Sequence, residues 1–185
     1  MEDMNAELEI EAGARSRTGM TPSPAPEKED KVIFPLDLGE WMPKESLLES
    51  IAAIVEELSW ANPELVAYLK AHPEYRPKML LRLLAFAYAT GIFEAEEIES
   101  SCFSDPFLRY ICEGEPLRAK QISRFRRDNR FLLKWVLAQL FKEVLKKKFA
   151  LGNTLFPAGL RRFLVETAVE RLDLARHLDR AGHEL

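Results

Sequence analysis

The sequence lacks nearly everything that marks a strand, a membrane span, a disulfide framework or a nucleotide site. Cysteine occurs twice in 185 residues, at Cys102 and Cys112. Two thiols ten residues apart among apolar neighbours fit core filling, and supply neither a disulfide framework nor a metal ligand set. His72, His177 and His183 have no Cys or His partner at ligand spacing, so no metal is expected. Sustained alternation of apolar and polar residues is missing, and the eight glycines are scattered rather than set in hairpin turns, which argues against a sheet. No run approaches the roughly 18 uninterrupted apolar residues of a membrane span, so no membrane partner is expected. The acidic start MEDMNAELEIEAG lacks the apolar stretch of a signal peptide, and a reducing cytoplasm is the expected setting. Glycine-rich phosphate loops and the G-x-S-x-G elbow are absent, so no cofactor is expected. The acid pairs Glu56-Glu57 and Glu96-Glu97 are adjacent on helices, diverge, and read as solvated faces.

What is present points to helices. An apolar content of 47% is enough to bury a core. Residues 1–30, rich in Glu and carrying TPSPAP, read as a disordered acidic tail, with order expected from near Val32. A helix over about 44–58 places Leu47, Leu48, Ile51, Ile54, Val55 and Leu58 at helical spacing. A short helix around 63–70 follows Pro63. The segment 77–90 is apolar on almost every face except at Arg82, which predicts the hub of a small bundle closed by Gly91. Two short helices are expected at about 94–102 and 105–113, the second with Asp105 as N-cap and Pro106 at the first helical position. From 118 onward glycine is absent until Gly152 and proline until Pro157, so one long helix is expected from about 118 to 149. A final amphipathic helix over about 157–179 should carry Leu160, Phe163, Leu164, Leu172 and Ala175 inward, with Arg161, Arg162, Glu170 and Arg171 outward. Trp41, Trp60 and Trp135 read as packing anchors. The expected fold class is therefore all-α, a small helical bundle containing a helix-turn-helix-like unit. It divides into a tail over 1–30, a helical domain over 31–150 and a C-terminal amphipathic helix over 151–185.

The net charge of -4 hides an asymmetry. Residues 116–150 hold eleven basic and two acidic side chains, while every segment before them is net acidic. A local excess of this size can collect phosphates whatever the bulk charge. On an ideal helix, Ile122, Phe125, Leu132, Leu133 and Val136 share one face. Lys120, Ser123, Arg124, Arg127, Arg130 and Lys134 share the opposite one, with Arg126 and Gln121 toward the two boundaries. Asp128 is the only acid between 116 and 142, whereas the outer face of a bundle helix normally mixes signs. Such a helix can lock to a scaffold on one side and offer forked donors to phosphates and guanine edges on the other. The DNA-binding candidates are thus Lys120, Gln121, Ser123, Arg124, Arg126, Arg127, Arg130 and Lys134, with double-stranded DNA as the partner.

Four blocks in order carry a family resemblance: FPLDLGEWMPKESLLESIAAIVEEL at 34–58, YRPKMLLRLLAFAYATGIFEAEEIE at 75–99, SDPFLRYICEG at 104–114 and QISRFRRDNR at 121–130. Together they resemble the N-terminal helical DNA-binding domain of InsH-type insertion-sequence DDE transposases, over roughly 32–150. The resemblance implies DNA binding by the helix bearing Ser123, Arg124, Phe125 and Arg126. Two places depart from that family's pattern, Ile92-Phe93-Glu94 after Gly91 and Leu117-Arg118-Ala119-Lys120 before the basic helix. The family's catalytic domain, with three carboxylates around two metal ions, has no counterpart in the 35 residues after Ala150. The expectation is a non-enzymatic, nucleoid-associated binder of element ends that pairs with full-length transposase or with itself. The alternative is a protein-interaction or dimerisation module whose basic face is incidental.

Overall fold

The computed structural model describes residues 32–61, 76–115, 117–152 and 155–182. The expected tail over 1–30 and the short helix around 63–70 lie outside the described residues. Among those described, the backbone is all-α: seven helices and no strand beyond a single antiparallel bridge between Asp37 and Thr90. Helix α1 spans Lys44–Ala61, α2 Pro77–Ala89, α3 Ala95–Ser104, α4 Pro106–Ile111, α5 Ala119–Asp128, α6 Arg130–Lys148 and α7 Ala158–Gly182. No described helix is long and apolar enough to cross a membrane.

Helix α2 is the hub that its composition predicts. Pro77 opens it where the first turn has no N–H to lose, and eleven of its thirteen residues are buried. It packs against α1, α4, α5 and α6. Gly91 ends it in the left-handed region at φ 83°, and the Ile92 amide closes the turn on the Ala87 carbonyl at 2.9 Å. The polar exception, Arg82, reaches Glu56 of α1 at 3.6 Å. Ahead of α1, the Asp37 carboxylate accepts the Gly39 amide at 2.7 Å and caps a single 3-10 turn, Leu38–Glu40.

The α3–α4 corner follows local rules. Asp105 accepts the amides of Phe107 at 2.8 Å and Leu108 at 3.1 Å, and Pro106 fills the first helical position. Cys102 and Cys112 are both buried, as core filling requires.

The expected single helix over 118–149 is two helices. Asn129 interrupts it at φ -119° and ψ 27°, and its side-chain amide donates to the Phe125 carbonyl at 3.1 Å. Asparagine offers the backbone an alternative to the regular ladder. Both halves touch α2, but their other partners differ: α5, with Ile122 and Phe125 buried, packs on α3, whereas α6 packs on α1 and α7. Competing tertiary partners therefore divide a segment in which neither glycine nor proline signals a break.

The last helix corrects a second expectation. Leu164, Leu172 and Ala175 are buried as expected, but Arg171, assigned outward, is buried too. Its guanidinium donates to the carbonyls of Leu36 (2.9 Å), Pro35 and Tyr88, and lies 5.0 Å from the centre of the Phe141 ring. Burial pulls its pKa down to about 10, opposed by the nearby Asp37, so the group is charged at neutral pH. The fork thus ties α7 to the lead-in before α1 and to the end of α2. Three main-chain carbonyls from two distant segments converge on one forked donor, and only the tertiary arrangement brings them together.

Candidate nucleic-acid interface

Helix α5 is anchored before it is charged. Its first N–H meets α3, where the Glu99 carboxylate accepts the Ala119 amide at 2.7 Å and meets the Arg118 guanidinium at 3.3 Å. Gln121 folds back so that its side-chain oxygen accepts the Arg118 amide at 2.9 Å. Ile122 and Phe125 then fix the inner face of the helix.

The eight residues assigned to the basic face separate into two groups. Lys120, Gln121, Arg124 and Arg127 are exposed on α5. Arg118, which the helical wheel did not include, adds another exposed cation at the start of the helix, its side chain 78% accessible. Asp128 is the acid these side chains share, 3.7 Å from Arg124 and 3.2 Å from Arg127. Exposed pairs of this kind contribute about 0–1 kcal/mol each, so they yield readily to a phosphate.

The other four are engaged elsewhere. Arg126 is buried, and it pairs with Asp179 of α7 while donating to the Tyr88 hydroxyl at 3.0 Å and the Phe93 carbonyl at 2.9 Å. Desolvation pushes the Tyr88 phenol up to about 12 against the pull of that guanidinium, so the hydroxyl is neutral and acts as acceptor. Ser123 is half-buried and donates to Asp179 at 2.9 Å. Arg130 belongs to α6 and pairs with Asp173 at 3.0 Å, an acid it shares with Arg176 at 3.0 Å. Lys134, also on α6, lies 5.2 Å from the centre of the Phe131 ring.

Two acids not singled out from the sequence, Asp173 and Asp179, account for three of these four, Ser123, Arg126 and Arg130. Both sit on α7, more than forty residues along the chain from Ser123, Arg126 and Arg130, which they bind. A local wheel places Arg126 at the boundary of a face, and no local signal shows that a carboxylate from the far end of the chain waits for it. Among the described residues no group of three or more His, Cys, Asp or Glu side chains is placed to hold a metal ion.

The arrangement offers an exposed run of cations on a helix held rigidly from behind, which is suited to contacting a polyanion. No curated protein and no solved structure matches the chain. The family model described as Transposase domain (DUF772) matches residues 36–128, from the lead-in before α1 to the last residue of α5. That match covers just over half of the 185 residues, and the chain belongs to this transposase-domain family.

Proposed function

We propose that the chain binds double-stranded DNA through the outer face of α5, as the recognition part of a transposition system of the InsH type. The observation that carries the reading is the division of α5: apolar side chains seat it on the hub, while Arg118, Lys120, Arg124 and Arg127 stand in solvent with Gln121 among them. The order α4, a short connection, then α5 supports a helix-turn-helix-like unit with α5 in the major groove. Arg124 and Arg127 are forked donors suited to phosphate or to guanine edges, and Lys120 supplies a point charge. The reading gives this chain recognition of element ends rather than cleavage. In support, Asp173 and Asp179 of α7 are already committed to Arg130, Arg176, Arg126 and Ser123.

The experiment is fluorescence anisotropy with duplexes carrying candidate element ends, at several salt concentrations. With three or four cations on phosphates, log K falls against log[salt] with a slope near -3 to -4 (about -0.9 per contact). Replacing Arg124 and Arg127 together by Ala flattens the slope by about 2 and leaves helix content unchanged. A double variant that binds like the parent overturns the assignment. The same mixtures with Mg²⁺ or Mn²⁺ leave the duplex intact; nicking abolished by replacing one acid overturns the non-catalytic part. A dimerisation module is the second reading, favoured by Phe103 and Tyr110, which are 60% and 74% exposed on α3 and α4. It predicts weak DNA binding without sequence preference, and a concentration-dependent mass in sedimentation.

A further inference from the structure

The α3–α4 corner brings together two sulfurs that the DNA-binding reading does not use. Cys102 lies in the last full turn of α3 and Cys112 is the residue that closes α4. Their sulfur atoms are 3.1 Å apart, with the Cys112 thiol donating to Cys102, and the residues are 4% and 1% exposed. Neither sulfur is bonded to anything else. A disulfide requires about 2.05 Å between the sulfurs. Closing the pair therefore asks for a movement of roughly 1 Å, small enough for side-chain rotation and a slight shift of a six-residue helix.

We propose that Cys102 and Cys112 form an oxidisable dithiol that peroxide converts to an intramolecular disulfide. The hydrogen bond from Cys112 lowers the Cys102 pKa below its usual value, against the opposing effect of burial, and the same bond holds that of Cys112 above it. Cys102 is therefore the attacking sulfur. Its thiolate attacks one oxygen of hydrogen peroxide, the O–O bond breaks, and the leaving hydroxide takes up a proton to become water. Cys102 is then a sulfenic acid in contact with Cys112. The Cys112 sulfur, giving up its proton, attacks the Cys102 sulfur; the S–O bond breaks and the second oxygen leaves as water. Two thiols and one peroxide become one disulfide and two waters, the dithiol losing two electrons and two protons. Contact between the sulfurs makes this closure faster than a second oxidation of Cys102. Burial means that peroxide enters through local opening of the corner, so the reaction is slow but selective for this pair. The new bond closes a short loop that starts on α3 three residues after Glu99, whose carboxylate accepts the first amide of α5, and so stiffens the support of the basic helix.

The test uses the full chain, purified reduced, treated with hydrogen peroxide at neutral pH, then alkylated in urea and mapped by mass spectrometry. The expected product is a monomer about 2 Da lighter, with the peptides carrying Cys102 and Cys112 joined, restored by dithiothreitol. Its melting temperature should be about 5–10 °C above that of the reduced chain. In Cys112→Ser the sulfenic acid on Cys102 has nothing to resolve it and is trapped by dimedone. Two sulfurs that both still alkylate, sulfinic acid as the main product at Cys102, or cross-linking only between molecules each overturn the proposal. Failure of dimedone to label Cys102 in Cys112→Ser overturns the assigned order of attack. None of these outcomes depends on whether the chain binds DNA.

Discussion

Asp179→Ala is the substitution with the most to say about how α5 is held. In the parent, the Asp179 carboxylate faces the Arg126 guanidinium, accepts from Ser123 at 2.9 Å and takes the Ala95 amide at 3.4 Å. The side chains of Arg126 and Asp179 are only 6% and 15% accessible, so solvent cannot take over when the carboxylate is removed. Leaving a buried charge without its partner costs about 3–5 kcal/mol. Arg126 keeps Tyr88 and Phe93, which places the expected loss toward the lower end, about 3–4 kcal/mol. With a urea dependence of about 2 kcal/mol per molar for a domain of this size, the midpoint should fall by about 1.5–2 M. The companion is the double variant Arg126→Met with Asp179→Leu, which removes both charges and fills the space. It should recover about 1–2 kcal/mol of the loss, because no unpaired charge is left, but stop short of the parent, because the Tyr88 hydroxyl and the Phe93 carbonyl lose their donor. A loss below about 1 kcal/mol in Asp179→Ala, or a double variant no more stable than the single one, would refute the reasoning. It would return Arg126 to the list of DNA contacts.

Three further outcomes follow from the packing. Arg171→Lys should cost about 2–3 kcal/mol by thermal or urea melting, because one ammonium cannot fork to the carbonyls of Pro35, Leu36 and Tyr88; an unchanged midpoint would mean those carbonyls find water. Leu83→Ala removes a fully buried side chain from the hub and should cost about 2–5 kcal/mol, and a loss under about 1 kcal/mol would remove α2 from the centre of the fold. Asp105→Ala deletes the cap of α4 and should cost about 1 kcal/mol, with faster amide hydrogen exchange at Phe107 and Leu108; unchanged exchange there would count against the cap.

The elements written most plainly into the sequence are those set by neighbours within a turn or two. Apolar residues on nearly every face of 77–89 mark a central helix, Pro77 and Gly91 bound it, and Asp105-Pro106 marks the start of α4. Each of these signals acts through backbone hydrogen bonds or caps that close locally, so no distant partner is needed to read them. The presence of a basic helix near 119–128 is legible for the same reason, since an apolar stripe and a cationic stripe at helical spacing are properties of one segment.

What only the tertiary structure decided is which of those cations remain in solvent. Arg126 and Arg171 look like surface residues because arginine usually is one, yet both are buried where carbonyls or a carboxylate from distant segments converge. The break at Asn129 belongs to the same class. Residues 119–148 favour helix throughout by composition, and the chain is divided there because α5 packs toward α3 while α6 packs toward α1 and α7, each with its own buried apolar side chains. Helical periodicity gives the angle of a side chain about its own axis, but not which element will lie against that angle. Whether an arginine stays in water depends on the second quantity, because a buried guanidinium is tolerated only where other parts of the chain supply its acceptors.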